Sequence, residues 1–173
     1  MNIEEKLIKG NKKFIKNLAK SQKKMEICQD LVKGQHPYAL IITCSDSRVV
    51  PEEIFSTFLG ELFVIRTAGN TINEGELGTI EYAIHHLHIN YIMVLGHTHC
   101  GAIHTAMSNE KCKYADVILN RIRLAIGNEC DETKASKLNA INSVKQIKEY
   151  FPTYQGKVVP ALYDIETNEV TIL

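Results

Sequence analysis

Three short apolar runs set the terms for this chain: "YALIIT" at 38–43, "LFVIR" at 62–66 and "YIMVL" at 91–95. Each has the length of a strand, and stretches of helical pattern separate them. Strands that alternate with helices pair in parallel, through right-handed crossovers. The connecting segments predict a helix over 51–59, with Pro51 in its first turn, and another around 74–88. Helical segments fill 101–150, and two late strands follow near 157–163 and 169–173. These two flank "ETNE", a turn signal, so the final strand is expected to run antiparallel to its predecessor. The predicted class is α/β: a mostly parallel central sheet in the order 2-1-3-4, a C-terminal antiparallel edge strand, and helices on both faces.

Ahead of the first strand, Ile3, Leu7, Phe14, Ile15 and Leu18 recur at roughly helical spacing and predict an amphipathic helix. A second helical stretch runs to about Lys33 and ends at Gly34 and Pro37. No repeat, low-complexity tract or linker divides the sequence, so a single domain over 1–173 is expected, with a helical arm at about 1–34. The formal net charge is zero, which leaves no electrostatic footprint for nucleic acid or an anionic membrane. The apolar runs fall far short of the roughly 18–20 residues of a membrane span. The charged start "MNIEEKLIKGNKKFIKNLAK" lacks the apolar core of a secretory signal, and the expected compartment is the cytoplasm. Five cysteines (28, 44, 100, 112 and 130) are an odd number for such a chain, and favour metal ligation or plain burial over disulfides.

In an open parallel sheet, functional groups collect beyond the carboxyl ends of the strands, where the strand order reverses. Three strand ends fall there: "TCSDSR", "RTAGN" and "GHTHCG". With spatial order 2-1-3, the reversal lies between the first and third strands and brings Cys44 beside His97 and Cys100. Taken singly, Cys44 reads as a small buried hydrophobe, and an isolated His-x-x-Cys is weak evidence. Together, two thiolates and an imidazole form a zinc set with a fourth position open, the arrangement of a catalytic site. Gly96 and Gly101 bracket the pair and suggest close backbone approach. Asp46 and Arg48, two residues apart, share a side in extended geometry. They read either as a structural salt bridge or as a carboxylate held as acceptor beside the metal, and their nearness to Cys44 favours the second.

"CSDSR" with "GHTHCG", and "RTAGN" between them, resembles the β-class carbonic anhydrases, whose signatures are Cys-x-Asp-x-Arg and His-x-x-Cys. Weaker echoes, "NSVKQIK" and "LYDIETNEV", extend the likeness from residue 36 nearly to the C-terminus, and the stretch between about 104 and 140 is short for the family. The resemblance implies a carbonate dehydratase, a zinc lyase with one Zn2+ per chain on Cys44, His97 and Cys100. Its reaction would be the reversible hydration of carbon dioxide to bicarbonate and a proton, by attack of zinc-bound hydroxide. Asp46 and Arg48 would be the catalytic pair, and the assembly a homodimer or homotetramer. In some relatives the aspartate leaves its arginine and becomes a fourth zinc ligand, in a closed form stabilised by a bicarbonate site that a tryptophan helps to build. This chain has no tryptophan. Asp46 is therefore expected to stay with Arg48 near neutral pH, with zinc ligation by Asp46 conditional on closure.

His99 stands where the family commonly has Asp, Ser or Ala; it reads as solvent-facing, with a proton relay as the alternative. His85, His86 and His88 fall at a helix end and read as exposed. Cys28, Cys112 and Cys130 lack matched partners. Hydrolysis of carbonyl sulfide or carbon disulfide at the same site is the enzymatic alternative. A zinc-bearing regulatory or binding module is the non-catalytic one, and retention of Asp46 and Arg48 argues against it.

Overall fold

The computed structural model describes residues 2–108 and 110–173. The chain forms two compact units, one ending at His36 and one spanning Pro37–Leu173. The first holds α1 (Ile3–Leu18) and α2 (Gln22–Leu31). Asn2 and Glu5 close a capping box at the start of α1, each side chain accepting the other's backbone N–H. No residue of α1 is buried.

The second unit is built on a five-stranded sheet in the order β2-β1-β3-β4-β5. The strands are β1 (Ala39–Cys44), β2 (Leu62–Thr67), β3 (Tyr91–His97), β4 (Lys157–Tyr163) and β5 (Val170–Ile172). The first four pair in parallel, and β5 joins β4 antiparallel across a tight turn. β1 is buried along its whole length, as its unbroken apolar run demands of a central strand. Thr43 is its one hydroxyl, and that group donates to Leu95 O of β3 at 2.8 Å.

Alternation along the strands sends Leu40, Ile42, Ile92 and Val94 to one face, where they meet Ile80 and Ala83 of α4 (Glu74–His85) and Val144 and Ile147 of α7 (Glu132–Tyr150). Ala39, Ile41, Met93 and Leu95 occupy the other face with Val49 and Ile54, the latter from the single-turn α3 (Pro51–Ile54). Helices thus lie on both faces. On the α3 side an apolar hollow of about 370 Å³ opens between Tyr38, Ile41, Phe55, Leu62 and Met93. A third cluster sits beyond the strand ends, where α5 (Gly101–Met107), α6 (Asp116–Ile126) and the start of α7 enclose Cys44 and Cys100.

Element ends differ from the sequence pattern where the backbone turns left-handed. The helix expected over 51–59 is only one turn, because Ser56 takes φ 51. The helix expected to reach 88 ends at His85, and His88 has φ 53. The 101–150 region holds separate helices ending at Met107 and beginning at Asp116, and it divides again at Gly127 (φ 58), after which Asp131 caps α7.

Candidate metal centre

β1 and β3 are neighbours and run the same way, so the residues at their carboxyl ends arrive side by side. Cys44 is the last residue of β1, His97 the last of β3, and Cys100 the N-cap of α5. Their ligand atoms all lie within 4.8 Å of one another, and this is the one group of three such side chains among the described residues. The three are 5%, 1% and 1% exposed.

The donor set fits a zinc ion. His97 Nδ1 lies 2.8 Å from Thr98 O, and since a carbonyl can only accept, Nδ1 carries the proton. That leaves Nε2 as a lone-pair donor, buried and without a hydrogen-bond partner. The Cys44 and Cys100 sulfurs are 3.9 Å apart, close to the roughly 3.8 Å that tetrahedral Zn–S bonds of about 2.3 Å impose. Without a cation, two thiolates at that separation repel. The hydrogen bond from Cys100 holds the Cys44 thiol well below its usual range against burial, with help from the backbone of Asp46 and Gly69. The neighbouring Cys44 and burial push Cys100 up. A dication removes the conflict, because a coordinated thiol is deprotonated outright.

Asp46 and Arg48 do not meet by strand alternation. Residues 46–49 form a turn closed by Val49 N–H on Asp46 O at 3.0 Å, and Asp46 Oδ1 also accepts Arg48 N–H at 3.0 Å. The guanidinium then clasps the carboxylate twice, Nε to Oδ1 at 2.9 Å and Nη2 to Oδ2 at 2.7 Å. These bonds hold the Asp46 carboxyl well below the usual carboxylate range. Arg48 Nη2 also donates to His99 O at 3.0 Å, which ties the β1 loop to the β3 loop.

Gly96 does lie where space is short, since a Cβ there would meet Ser136 O of α7 at 3.2 Å. Gly101 does not: a Cβ there would meet nothing within 4 Å, contrary to the sequence expectation. His99 is exposed, has φ 55, and pairs through Nε2 with Glu166 Oε1 at 2.8 Å. His85, His86 and His88 are exposed. Cys28, Cys112 and Cys130 are free thiols outside the group.

Sequence reasoning gave no role to three residues that shape this centre. Arg66, at the end of β2, donates to Cys44 O at 3.1 Å and to Asp46 O at 2.6 Å, and so fixes the ligand loop. Gly69 donates its N–H to Cys44 Sγ at 3.3 Å, and Asn139 of α7 donates to Gly69 O at 2.7 Å. The first two lie in "RTAGN", whose Gly-Asn pair marks an unusual backbone. Asn139 carried only the faint signal of a polar residue on a helix's inward face.

The family model described as carbonic anhydrase matches residues 39–170. A carbonic anhydrase of Synechococcus elongatus is 47% identical over 104 residues, which are 57% of this chain and 38% of that protein. One of Candida albicans is 34% identical over 180 positions, 91% of this chain and 64% of the relative. The chain spans half or less of the length of the first curated relatives it matches. Among solved structures, the β-carbonic anhydrase CcaA superposes with a TM-score of 0.80 at 31% identity, covering 98% of this chain and 86% of that one. The β-carbonic anhydrase CafA of Aspergillus fumigatus reaches 0.88 at 24% identity, covering 99% and 91%, and supports the fold. The sheet order, the two ligand-bearing loops and these matches agree: this chain belongs to the β-carbonic anhydrase family.

Proposed function

We propose that this protein is a zinc enzyme that reversibly hydrates carbon dioxide to bicarbonate and a proton. The observation that carries the proposal is the convergence of Cys44, His97 and Cys100 with the buried, unpartnered Nε2 of His97. Zinc held by these three would supply Lewis acidity, bringing the pKa of water toward neutrality and stabilising negative charge on oxygen. The protein's own contribution is orientation. Asp46, kept ionised by Arg48, is an acceptor only, so it takes a hydrogen bond from the attacking oxygen and leaves a lone pair free for carbon. Arg48 holds that carboxylate in one plane and braces it against the His99 backbone. Burial of all three ligand side chains limits solvent around the reacting atoms.

The same reading includes a homodimer or homotetramer. An α1 without a buried residue and an apolar hollow beside α3 are surfaces that a second copy would cover. It also includes the cytoplasm, whose reducing conditions keep Cys44 and Cys100 as thiols able to take metal.

The test is metal analysis and a carbon dioxide hydration assay on one sample, with carbonyl sulfide and carbon disulfide as competing substrates. About one zinc per chain with hydration activity is expected. Zinc-loaded protein that turns over carbonyl sulfide or carbon disulfide but not carbon dioxide would overturn the substrate, and zinc without turnover of any would overturn the enzyme.

A further inference from the structure

Gly69 is gripped at both ends. Its N–H donates to Cys44 Sγ at 3.3 Å, and its carbonyl accepts the side-chain amide of Asn139 at 2.7 Å. The residue can do this only in the left-handed region, at φ 63 and ψ 28. Asn70 follows it there with φ 47, and two successive left-handed residues do not hold themselves in place. A Cβ at residue 69 would come within 2.7 Å of Ile122 Cδ1 and 3.2 Å of Ala102 Cβ, so α6 and α5 support the loop from behind. Asn139 holds it from the side of α7.

Asn139 is 3% exposed. Burying an amide in a helix face is unfavourable unless its N–H finds an acceptor, and Gly69 O is that acceptor. Its neighbours along the face, Ala135, Ser136, Ala140 and Ser143, are small, which lets α7 lie close enough for the amide to reach.

We infer that Asn139 is a positioning residue for the metal centre: by holding Gly69 O, it keeps the Gly69 N–H on the Cys44 sulfur and thereby sets how strongly that thiolate donates to the metal. The inference rests on the reading of Cys44, His97 and Cys100 as metal ligands. Two thiolates cancel the charge of a dication and weaken its pull on water. An N–H directed at one sulfur draws charge back from it, and outer groups that orient or polarise ligands tune metal sites in this way. Ser143 supplies a control from the same helix face. Its hydroxyl donates to Asn139 O at 3.1 Å and to Asn70 O at 3.5 Å, and so bonds to the carbonyl next to that of Gly69.

The experiment loads the full chain with cadmium-113 in place of zinc and measures coupling between the metal and the Gly69 amide proton, which travels through an N–H···S bond. Cobalt(II)-loaded protein gives a second readout, the sulfur-to-metal charge-transfer band. Asn139→Leu and Asn139→Ala are compared with Ser143→Ala. Wild-type protein is expected to show the coupling. Both Asn139 variants should lose it, move the cobalt band to longer wavelength and, with Cys44 no longer held in place, bind zinc roughly tenfold more weakly in chelator competition. Ser143→Ala should lower thermal stability yet keep both signals. Metal-loaded wild type without coupling at Gly69, or folded Asn139 variants with coupling, band and affinity unchanged, would overturn the inference. Failure of both Asn139 variants to fold would overturn it too, since the residue would then be holding the fold. Wild type that takes up no metal would instead overturn the metal reading itself.

Discussion

Cys44, His97 and Cys100 reach one point from two loops, and each can be removed alone. Replacing any of them with alanine leaves two donors and an open, buried gap, so each variant should lose zinc or bind it at least about 100-fold more weakly. Metal analysis after dialysis against a mild chelator reads this directly, and full zinc in all three variants would refute the assignment. Arg48 tests the carboxylate. Its hydrogen bonds lower the pKa of Asp46 in the folded state, whereas in the unfolded chain that carboxyl titrates near about 3.9. The stability contributed by the pair is therefore complete above that pH and fades as pH falls toward the lower folded value. Arg48→Ala should destabilise metal-free protein at pH 7 only modestly, because Arg48 is half exposed and water screens the pair. Urea unfolding at pH 7 and pH 3 should show that gap narrowing at the lower pH, and an equally wide gap would exclude Asp46 as the partner. With metal present, the same variant should keep its zinc while carbon dioxide hydration falls by roughly tenfold or more. The Cys44–His97–Cys100 group and the Asp46–Arg48 pair were legible in the sequence because their side chains announce their chemistry. The Asp46–Arg48 geometry was not, since the pair meets in a turn set by a side-chain-to-backbone bond that residue spacing does not encode.

At the scale of elements, β1, β2 and β3 and their parallel pairing followed from apolar runs separated by helical pattern, and the order 2-1-3 taken with them is the one observed. Helix ends were harder to read. Ser56 and His88 turn left-handed without the glycine that normally marks such a stop. The loop after β2 matters most for the site, and its demands fall on Gly69. Alanine there would force a side chain into the left-handed region and against Ile122, so Gly69→Ala should lower stability by about 2 kcal/mol or more. A thermal melt of the metal-free protein measures this, and an unchanged midpoint would mean the loop has another conformation available. The partnership of Gly69 with Asn139 stayed hidden because it joins residues 70 positions apart through a backbone carbonyl, which every residue has.

At the scale of the whole molecule, α1 stands out for its exposed apolar side chains. Ile3, Leu7 and Ile15 of α1 are 79%, 68% and 56% exposed, an arrangement that favours burial on another copy. Analytical ultracentrifugation should find the full chain as a dimer or larger at micromolar concentration and a variant lacking residues 1–20 shifted toward monomer. A full chain that sediments as a monomer would contradict this. Cys44 and Cys100 carry a different consequence, for they stand 56 residues apart along the chain. Closing so long a loop is entropically unfavourable, so the unfolded chain retains little beyond the weak His97-Cys100 chelate. Nearly all the metal affinity then belongs to the folded state, and the free energy of binding adds in full to that of folding. Unfolding in a series of zinc buffers should register this: while zinc remains well above its dissociation constant, each tenfold fall in its free concentration lowers stability by about 1.4 kcal/mol. With zinc in the proposed site, the fold would be a gauge of the zinc around it, least durable where the metal is scarce.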